Sequence, residues 1–247
     1  MARPRVHDLD QLLDAAERLA VESGPAAVTV RALSEHAGVS NGAIYHAFGS
    51  RAGLVGQVWL RAARRFLAMQ DDLVEAALET AREAGHGAEV STGAAVDAVV
   101  VAADTPARFT LDHPVSGRFL LTVSRDHLLG TADLPRDLAA DLQDLDRRLA
   151  DLFVRLSRAL WGRSDRASVE VVRDCVVEIP NALLLRGGRP PDSFVRARIA
   201  ACVQAVLALD PPPPPATARH ATDHPAPGHP VPGHLAGHGS TIREDHP

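Results

Sequence analysis

The fold of the N-terminal region is decided by one stretch, residues 37–51, which reads AGVSNGAIYHAFGSR. Gly38 is a helix-stopping residue, and Ser40 carries a side-chain oxygen that can cap the helix that follows. In that following helix Ile44 and Phe48 fall one turn apart, so both face the same inner core. Two helices joined by a tight glycine turn predict a helix-turn-helix, whose second helix enters the major groove of DNA.

The outward side of this second helix is small and polar. Gly42 and Ala43 permit close approach to base edges, and Ala43 can meet a thymine methyl group. Asn41 can reach a base or a phosphate. The residues predicted to face outward are Asn41, Gly42, Ala43, Tyr45 and His46.

Arg51 is predicted at the first position of the next helix. The helix dipole favours anions at that end, so a cation there costs some stability unless an anion binds beside it. A DNA phosphate is one such anion, and the free N–H groups of the helix end would also bind it. The alternative is an ordinary solvated surface charge.

The rest of the chain also shows helical spacing, without strand alternation. A first helix is predicted over Leu9–Ser23, capped by Asp8, and a second begins after Thr29. A helix starting near residue 50 extends towards Met69. The sequence from 71 to 209 is helical throughout, with the longest pattern over Leu134–Trp161 and two further helices over about 165–186 and 192–209. Pro114 and Pro135 fall where helices begin, and Pro180 is expected to kink its helix. The fold class is therefore all-α.

Three regions follow from these patterns. Residues 1–50 are predicted to form a three-helix DNA-binding domain with the helix-turn-helix, and residues 51–209 a helical ligand-binding and dimerisation domain. Residues 210–247 are predicted to be a disordered tail rich in Pro, Gly and His. Its histidines suggest transition-metal binding, but their irregular spacing favours a solvated tail, so no metal site is predicted.

Charge is distributed unevenly along the chain. The formal net charge is −5, yet residues 1–70 carry 8 Arg and 6 acidic residues, whereas residues 71–210 carry 16 Arg and 22 acidic residues. A slightly basic head on an acidic body fits DNA binding at one end. The two cysteines, Cys175 and Cys202, lie in apolar helical patterns. They are predicted to be buried free thiols in a reducing compartment, although a pairing stays open.

Several classes of protein are not indicated. The sequence contains no nucleophile elbow, phosphate loop or zinc signature, so neither an enzyme nor a cofactor is predicted. No apolar run approaches the length of a membrane span, and no apolar stretch follows Arg3 and Arg5 as in a secretory signal. A cytoplasmic protein without membrane contact is expected.

The runs Thr29–Leu33 and Ala37–Leu54 resemble the TetR family of regulators. The resemblance covers roughly residues 9–60, with the turn glycine, the tyrosine, the phenylalanine and the basic start of the next helix all in register. It implies an all-α homodimer with an N-terminal DNA-reading domain and a C-terminal ligand-sensing domain. A small-molecule inducer would release such a repressor from a palindromic operator.

The resemblance also implies roles for individual residues. Those placed at phosphate contacts are Thr29, Ser40, Tyr45 and Arg51. Those placed at base-edge or mixed contacts are Arg31, Asn41, Gly42, Ala43 and His46. The chain departs from the family at Ala47, where relatives often carry His or Tyr, so one backbone contact is missing unless Arg3 and Arg5 supply it as a flexible arm.

In the body, aromatic residues at helical spacing are candidates for an inducer cavity, or else plain core. They are Phe66, Phe109, Phe119, Phe153 and Trp161. Two apolar stripes predict a four-helix dimer interface. The first is Val169, Val172, Val176, Ile179 and Leu183, and the second is Val195, Ile199, Cys202 and Val206.

Two alternatives to a ligand-released repressor remain at this stage. One is a regulator that activates transcription or acts with a partner protein, and the position of its operator relative to a promoter would reveal it. The other is a ligand-binding protein or enzyme with a vestigial DNA head. That hypothesis requires convergent buried polar groups in the body, which the sequence does not show.

Overall fold

The computed structural model describes residues 6–84, 92–123, 134–184, 190–209 and 213. Every regular element in these ranges is helical, which confirms the all-α prediction. The elements are α1 (Val6–Ser23), a 3-10 turn (Pro25–Ala27), α2 (Val30–Ala37), α3 (Asn41–Phe48), α4 (Arg51–Ala84), α5 (Thr92–Asp112), α6 (Pro114–Thr122), α7 (Arg136–Trp161), α8 (Arg166–Arg173), a π-helical turn (Asp174–Glu178), α9 (Ile179–Leu184) and α10 (Ser193–Leu207).

The first three helices share a hydrophobic core with the start of α4 and with α6. Leu33 and Ile44 are fully buried in it, together with Leu54 and Val58 of α4 and Phe119 of α6. The boundary predicted at residue 50 therefore falls between helices that pack on each other. The position of the three-helix head is tied to α4 and α6 by this shared core.

The body is built around α5, which packs against α4, α10 and the π-helical turn. Its small residues Ala98, Ala102 and Ala103 are fully buried and allow the neighbouring helices to approach closely. A separate cluster joins α4 to α7 through Leu60, Leu67 and a leucine series on α7. None of the described helices has the length and apolar character needed to cross a bilayer.

The observed helix ends correct several predictions. Helix α1 begins at Val6, so Asp8 lies inside it and is not its cap. Helix α4 continues to Ala84, well past Met69, because its apolar face goes on contacting α5. Pro114 begins α6, as predicted, whereas Pro135 is the residue before α7.

The predicted kink at Pro180 takes the form of a π-helical turn immediately before α9. Proline has no N–H to donate, and its ring collides with the carbonyl four residues earlier, here that of Val176. Widening the preceding turn relieves that collision. The predicted helix over 165–186 is accordingly divided into α8, the turn and α9.

A second proline, Pro106, lies inside α5 and leaves the carbonyl of Ala102 without its helical donor. The side chain of Gln70 on α4 takes that place, its Nε2 donating to the Ala102 oxygen over 3.0 Å. Gln70 is almost completely buried, and its own Oε1 meets no donor among the described residues. This hydrogen bond fixes the position of α4 along α5.

The predicted dimer stripes are largely internal. Val172, Val176, Val195 and Ile199 are buried within the core of the same chain, so these residues are not available to a second subunit. These positions were correctly predicted to be apolar but were wrongly assigned to a subunit interface. The apolar spacing of a helix does not show whether its apolar side packs within the chain or against a second chain.

The two cysteines differ from each other. Cys175 is buried as predicted, and this burial, with the nearby charge of Asp174, raises the pKa of its thiol to about 11. Cys202 is exposed on α10, which contradicts the prediction of a buried thiol, and both are free. The predicted disordered tail, residues 210–247, lies outside the described residues apart from Pro213.

Candidate nucleic-acid interface

The helix-turn-helix is held by short-range hydrogen bonds from its capping residues. The Thr29 hydroxyl accepts from the Ala32 N–H at 3.1 Å, and the Ser40 hydroxyl accepts from the Ala43 N–H at 3.3 Å. Between them Gly38 takes a left-handed conformation with φ of 67°, which a residue with a side chain adopts at a cost. These contacts confirm both predicted caps and set the angle between α2 and α3.

Helix α3 buries one side and exposes the other. Ile44 and Phe48 are buried in the head core, whereas Tyr45 leaves 55% of its surface exposed. Asn41, Gly42 and His46 are exposed too, while Ala43 is half-buried. The described surface of α3 thus presents an aromatic hydroxyl, an amide and an imidazole beside a glycine, a set suited to phosphate and base-edge contacts.

Arg51 has partners that were not foreseen. Its Nε donates to the Val28 carbonyl at 2.7 Å, and its terminal nitrogen donates to the Pro25 carbonyl at 2.6 Å. The argument that a cation at this helix end needs an anion is therefore wrong, because two backbone oxygens already receive the guanidinium. Arg51 fastens the start of α4 to the turn before α2 and so helps to position the helix-turn-helix.

Arg31 extends from α2 into solvent, with its side chain 85% exposed. It forms an ion pair with Glu35, one turn further along the helix, at 3.0 Å. An exposed pair of this kind contributes little stability and exchanges readily for another partner. Arg31 can therefore leave Glu35 for a phosphate without loss to the fold.

A buried ionic cluster connects the head to the body. Glu17 on α1 is only 3% exposed, and both of its carboxylate oxygens are occupied. Arg61 of α4 donates to one oxygen at 3.0 Å, and the Ser116 hydroxyl of α6 donates to the other at 2.7 Å. Arg61 also donates to Asp14 at 2.7 Å. Burial acts to lower the pKa of Arg61, but the carboxylates of Glu17 and Asp14 outweigh it and raise the pKa.

Residues 12–58 match the family model described as bacterial regulatory proteins of the tetR family. The N-terminal domain is a TetR-family DNA-binding domain. The matched residues include α2, α3 and the start of α4, the elements whose caps and exposed side chains form the interface. The chain is thus a DNA-binding transcriptional regulator, and the matching family consists of regulators, not enzymes.

Solved structures similar to the chain include TetR-family regulators. The regulator PfmR from Thermus thermophilus is 20% identical, with 80% of this chain and 97% of that chain covered and a TM-score of 0.55. The fatty acid degradation regulator FadR from Bacillus halodurans is 13% identical, with 83% and 97% covered and a TM-score of 0.56. The ketosteroid regulator KstR2 from Mycobacterium tuberculosis is 16% identical, with 83% and 95% covered and a TM-score of 0.52.

At these identities the likeness shows the fold alone. It extends beyond the TetR-family domain through the helical body. A comparison with curated protein sequences yields no match.

Behind the TetR-family domain, the body contains a cavity of about 350 Å³. Two of the predicted aromatic residues, Phe66 and Phe109, line it and meet edge to face with ring centroids 5.6 Å apart. The other three do not line it. Phe119 is buried in the head core, and Phe153 and Trp161 pack in the body core, because each follows the apolar stripe of its own helix.

Several contributors to these sites escaped the sequence analysis. Trp59, Asp146 and Asn181 line the cavity, and Glu17 and Ser116 link the head to the body. The Arg31–Glu35 ion pair could have been predicted from the sequence, since opposite charges four residues apart on a helix are neighbours. The Glu17–Ser116 bond joins positions 99 residues apart, and no local pattern indicates it.

Proposed function

We propose that the protein is a ligand-responsive repressor that binds a palindromic operator as a homodimer and is released by a small molecule. It would act in the cytoplasm, where bacterial DNA is accessible. The observation that carries the DNA-binding half is the exposed face of α3, which the capped turn presents outside the head core. Two such helices in a dimer would contact half-sites about one helical turn, roughly 34 Å, apart.

In this proposal the phosphate contacts are Thr29, Ser40, Tyr45 and Arg51. The base-edge or mixed contacts are Arg31, Asn41, Gly42, Ala43 and His46. All except Ala43 are exposed. Arg51 combines this role with its bonds to the Pro25 and Val28 carbonyls, so its terminal nitrogens would serve the fold and the DNA together.

Tyr45→Ala is expected to weaken operator binding about tenfold to hundredfold, since a hydrogen bond to a charged phosphate contributes about 1–3 kcal/mol. The assay is a gel shift with the DNA that flanks the protein's own gene. Tyr45→Phe, which removes only the hydroxyl, should reproduce most of the loss if that hydroxyl binds a phosphate.

The matched control for this assay is Leu111→Ala. Leu111 is also a large side chain with 51% of its surface exposed, but it lies on α5. The Leu111→Ala variant should bind DNA as tightly as the unaltered protein. Tyr45→Ala binding as tightly as this control would contradict the proposed docking of α3.

The homodimer is proposed to form through the outer face of α10, which shares only the exposed Cys202 with the stripe first predicted. Phe194, Ala201 and Cys202 are all exposed on α10, as is Leu209 just beyond its end, and Phe194 leaves 62% of its surface exposed. Arg198 on the same face lies over the Phe194 ring, 4.7 Å from its centroid. A largely apolar helix face of this kind is typical of a surface that a second subunit covers.

Placing a charge in that face tests the dimer. Ala201→Arg is expected to give a monomer in sedimentation equilibrium at micromolar concentration, because its charge would be buried between subunits next to that of Arg198. Ala76→Arg alters a similarly exposed alanine on α4 and should leave the dimer intact. A monomeric mass for the unaltered protein at that concentration would refute the homodimer itself.

Ligand release requires a path from the cavity to the head, and α6 is proposed to provide it. Gly117 lines the cavity, and its neighbour Ser116 donates to the buried carboxylate of Glu17 on α1. A ligand that shifts α6 would therefore displace a contact of the head. Ligand binding would then favour a dimer conformation in which the two α3 helices no longer match the operator. Such release is a shift of population between two conformational states.

A further inference from the structure

We infer that Arg31 recognises a guanine in the major groove of the operator, and that Glu35 is the positioning residue that orients Arg31 for this contact. This inference rests on the proposed function, in which Arg31 is a base-edge or mixed contact, and it names the base. It follows from which nitrogen of Arg31 is already bonded within the protein and which nitrogens are left for DNA.

The Arg31–Glu35 ion pair uses only one side of the guanidinium. Arg31 Nε donates to Glu35 Oε1 at 3.0 Å, and neither terminal nitrogen of Arg31 donates to any described residue. Arg196 is different, since it donates to Asp104 from Nε at 2.8 Å and from a terminal nitrogen at 2.5 Å. Both terminal nitrogens of Arg31 can therefore donate to DNA while its ion pair stays formed.

Two adjacent donors select a base that presents two adjacent acceptors. In the major groove guanine presents the acceptors N7 and O6, whereas adenine presents one acceptor and one donor, and cytosine presents a donor. A guanidinium has no acceptor, so a donor on the base would be left without a partner opposite it. The two terminal nitrogens of Arg31 therefore match guanine.

The place of Arg31 on α2 suits such a contact. It lies in the first turn of α2, two residues after the capping residue Thr29, and its side chain is 85% exposed. A phosphate bound at Thr29, as proposed, would bring this first turn to the edge of the major groove. Phosphate contacts of this kind determine where neighbouring side chains meet the bases.

Arg31 could leave Glu35 without loss to the fold, but on DNA the ion pair has a reason to persist. The side chain of Glu35 is 67% exposed. Without Arg31 it would face the phosphates as an unpaired like charge, which they repel. The bond to Nε also restricts a long side chain that DNA binding would otherwise have to order. Glu35 therefore favours the contact with the base over a contact with a phosphate.

Operator DNA that contains 7-deazaguanine tests the guanine contact. This base pairs normally but has a carbon in place of N7, so it lacks one of the two acceptors. A footprint on the DNA that flanks the gene locates the operator, and each guanine is replaced in turn in both half-sites. For one guanine, the replacement should weaken binding by the unaltered protein about tenfold. Arg31→Ala should bind the normal operator about tenfold more weakly and should not respond to that replacement.

Glu35→Gln separates positioning from competition for Arg31. If Glu35 orients Arg31, this variant should reduce the effect of the replacement from about tenfold to about threefold. Its preference for the operator over an unrelated duplex should fall as well. If Glu35 merely competed with DNA, Glu35→Gln would bind both duplexes more tightly and keep the full effect of the replacement.

Glu22→Gln is the matched control. Glu22 is an exposed glutamate on α1, so this variant removes the same charge from the same domain. It should keep the full tenfold effect of the replacement. A thermal melt of each variant shows that the fold is retained.

The outcomes separate this inference from the proposed function. If every guanine that affects the unaltered protein affects Arg31→Ala equally, the guanine contact is overturned and operator binding stands. If Glu35→Gln keeps the full effect of the replacement, the positioning role is overturned. If the unaltered protein shows no footprint on the flanking DNA, the proposed function is refuted and this inference with it.

Discussion

Gly53→Ala is expected to destabilise the protein by about 3 kcal/mol and to abolish operator binding with it, because the added methyl group has no space. A Cβ at Gly53 would overlap the carbonyl oxygen of Phe48, the last residue of α3. That atom belongs to the backbone and cannot rotate away. The α3–α4 junction would have to open, and the free energy of unfolding in urea measures the cost.

Gly42→Ala is the matched comparison, since it makes the same substitution within the same motif. A Cβ at Gly42 would meet no atom within 4 Å. Stability should stay the same or rise slightly, because alanine favours a helix over glycine by up to about 1 kcal/mol. Its operator binding should nevertheless fall, since the proposed contact surface gains a methyl group. Equal stability of the two variants would contradict the close contact at Gly53.

Arg61→Met is expected to cost about 3–5 kcal/mol of stability, the typical result of leaving one member of a buried ion pair alone. The side chain of Arg61 is 13% exposed and that of Glu17 is 4% exposed, so water cannot replace the lost partner. Ser116 would still donate to the Glu17 carboxylate, but a neutral hydroxyl does not balance its charge. Unfolding in denaturant measures this loss in the free energy of unfolding.

A second substitution separates loss of the pair from loss of packing. The double variant Arg61→Met with Glu17→Gln removes the charge while keeping an acceptor for Ser116, so it should recover most of the lost stability. Arg64→Met serves as the control on the same helix. Arg64 pairs with Asp141 at 3.1 Å, but both side chains are about half exposed, and its loss should cost about 1 kcal/mol or less. An equal effect of Arg61→Met and Arg64→Met would contradict the buried cluster.

Local signals were sufficient to predict much of the head. The caps at Thr29 and Ser40, the turn at Gly38 and the inward positions of Ile44 and Phe48 all depend on residues within one or two turns of each other. Hydrogen bonds and apolar spacing at that range can be read from the chain directly. The family match over residues 12–58 then supported the DNA binding that the same pattern predicted.

Contacts between distant segments were not predictable in the same way. Arg51 was correctly placed at the start of α4, yet its partners lie 23 and 26 residues away, in a short 3-10 turn and the residue after it, which no sequence pattern predicted. The stripe on α10 was correctly apolar, but Val195 and Ile199 in it are buried in the core of the same chain, where α10 packs on α5. Periodicity identifies which side of a helix is apolar and leaves open what packs on it.

The bond between Gln70 and Ala102 has a mechanical consequence for the head. It fixes α4 to α5 at a point 19 residues from Arg51, which is about 28 Å along a straight helix. With the helix anchored there, a tilt of about 5° would carry Arg51 through about 2.5 Å, close to the length of a hydrogen bond. Gln70, which replaces the bond lost at a proline, therefore also acts as a pivot for α4, and a small tilt about it would move the end of α4 that carries the proposed phosphate contact.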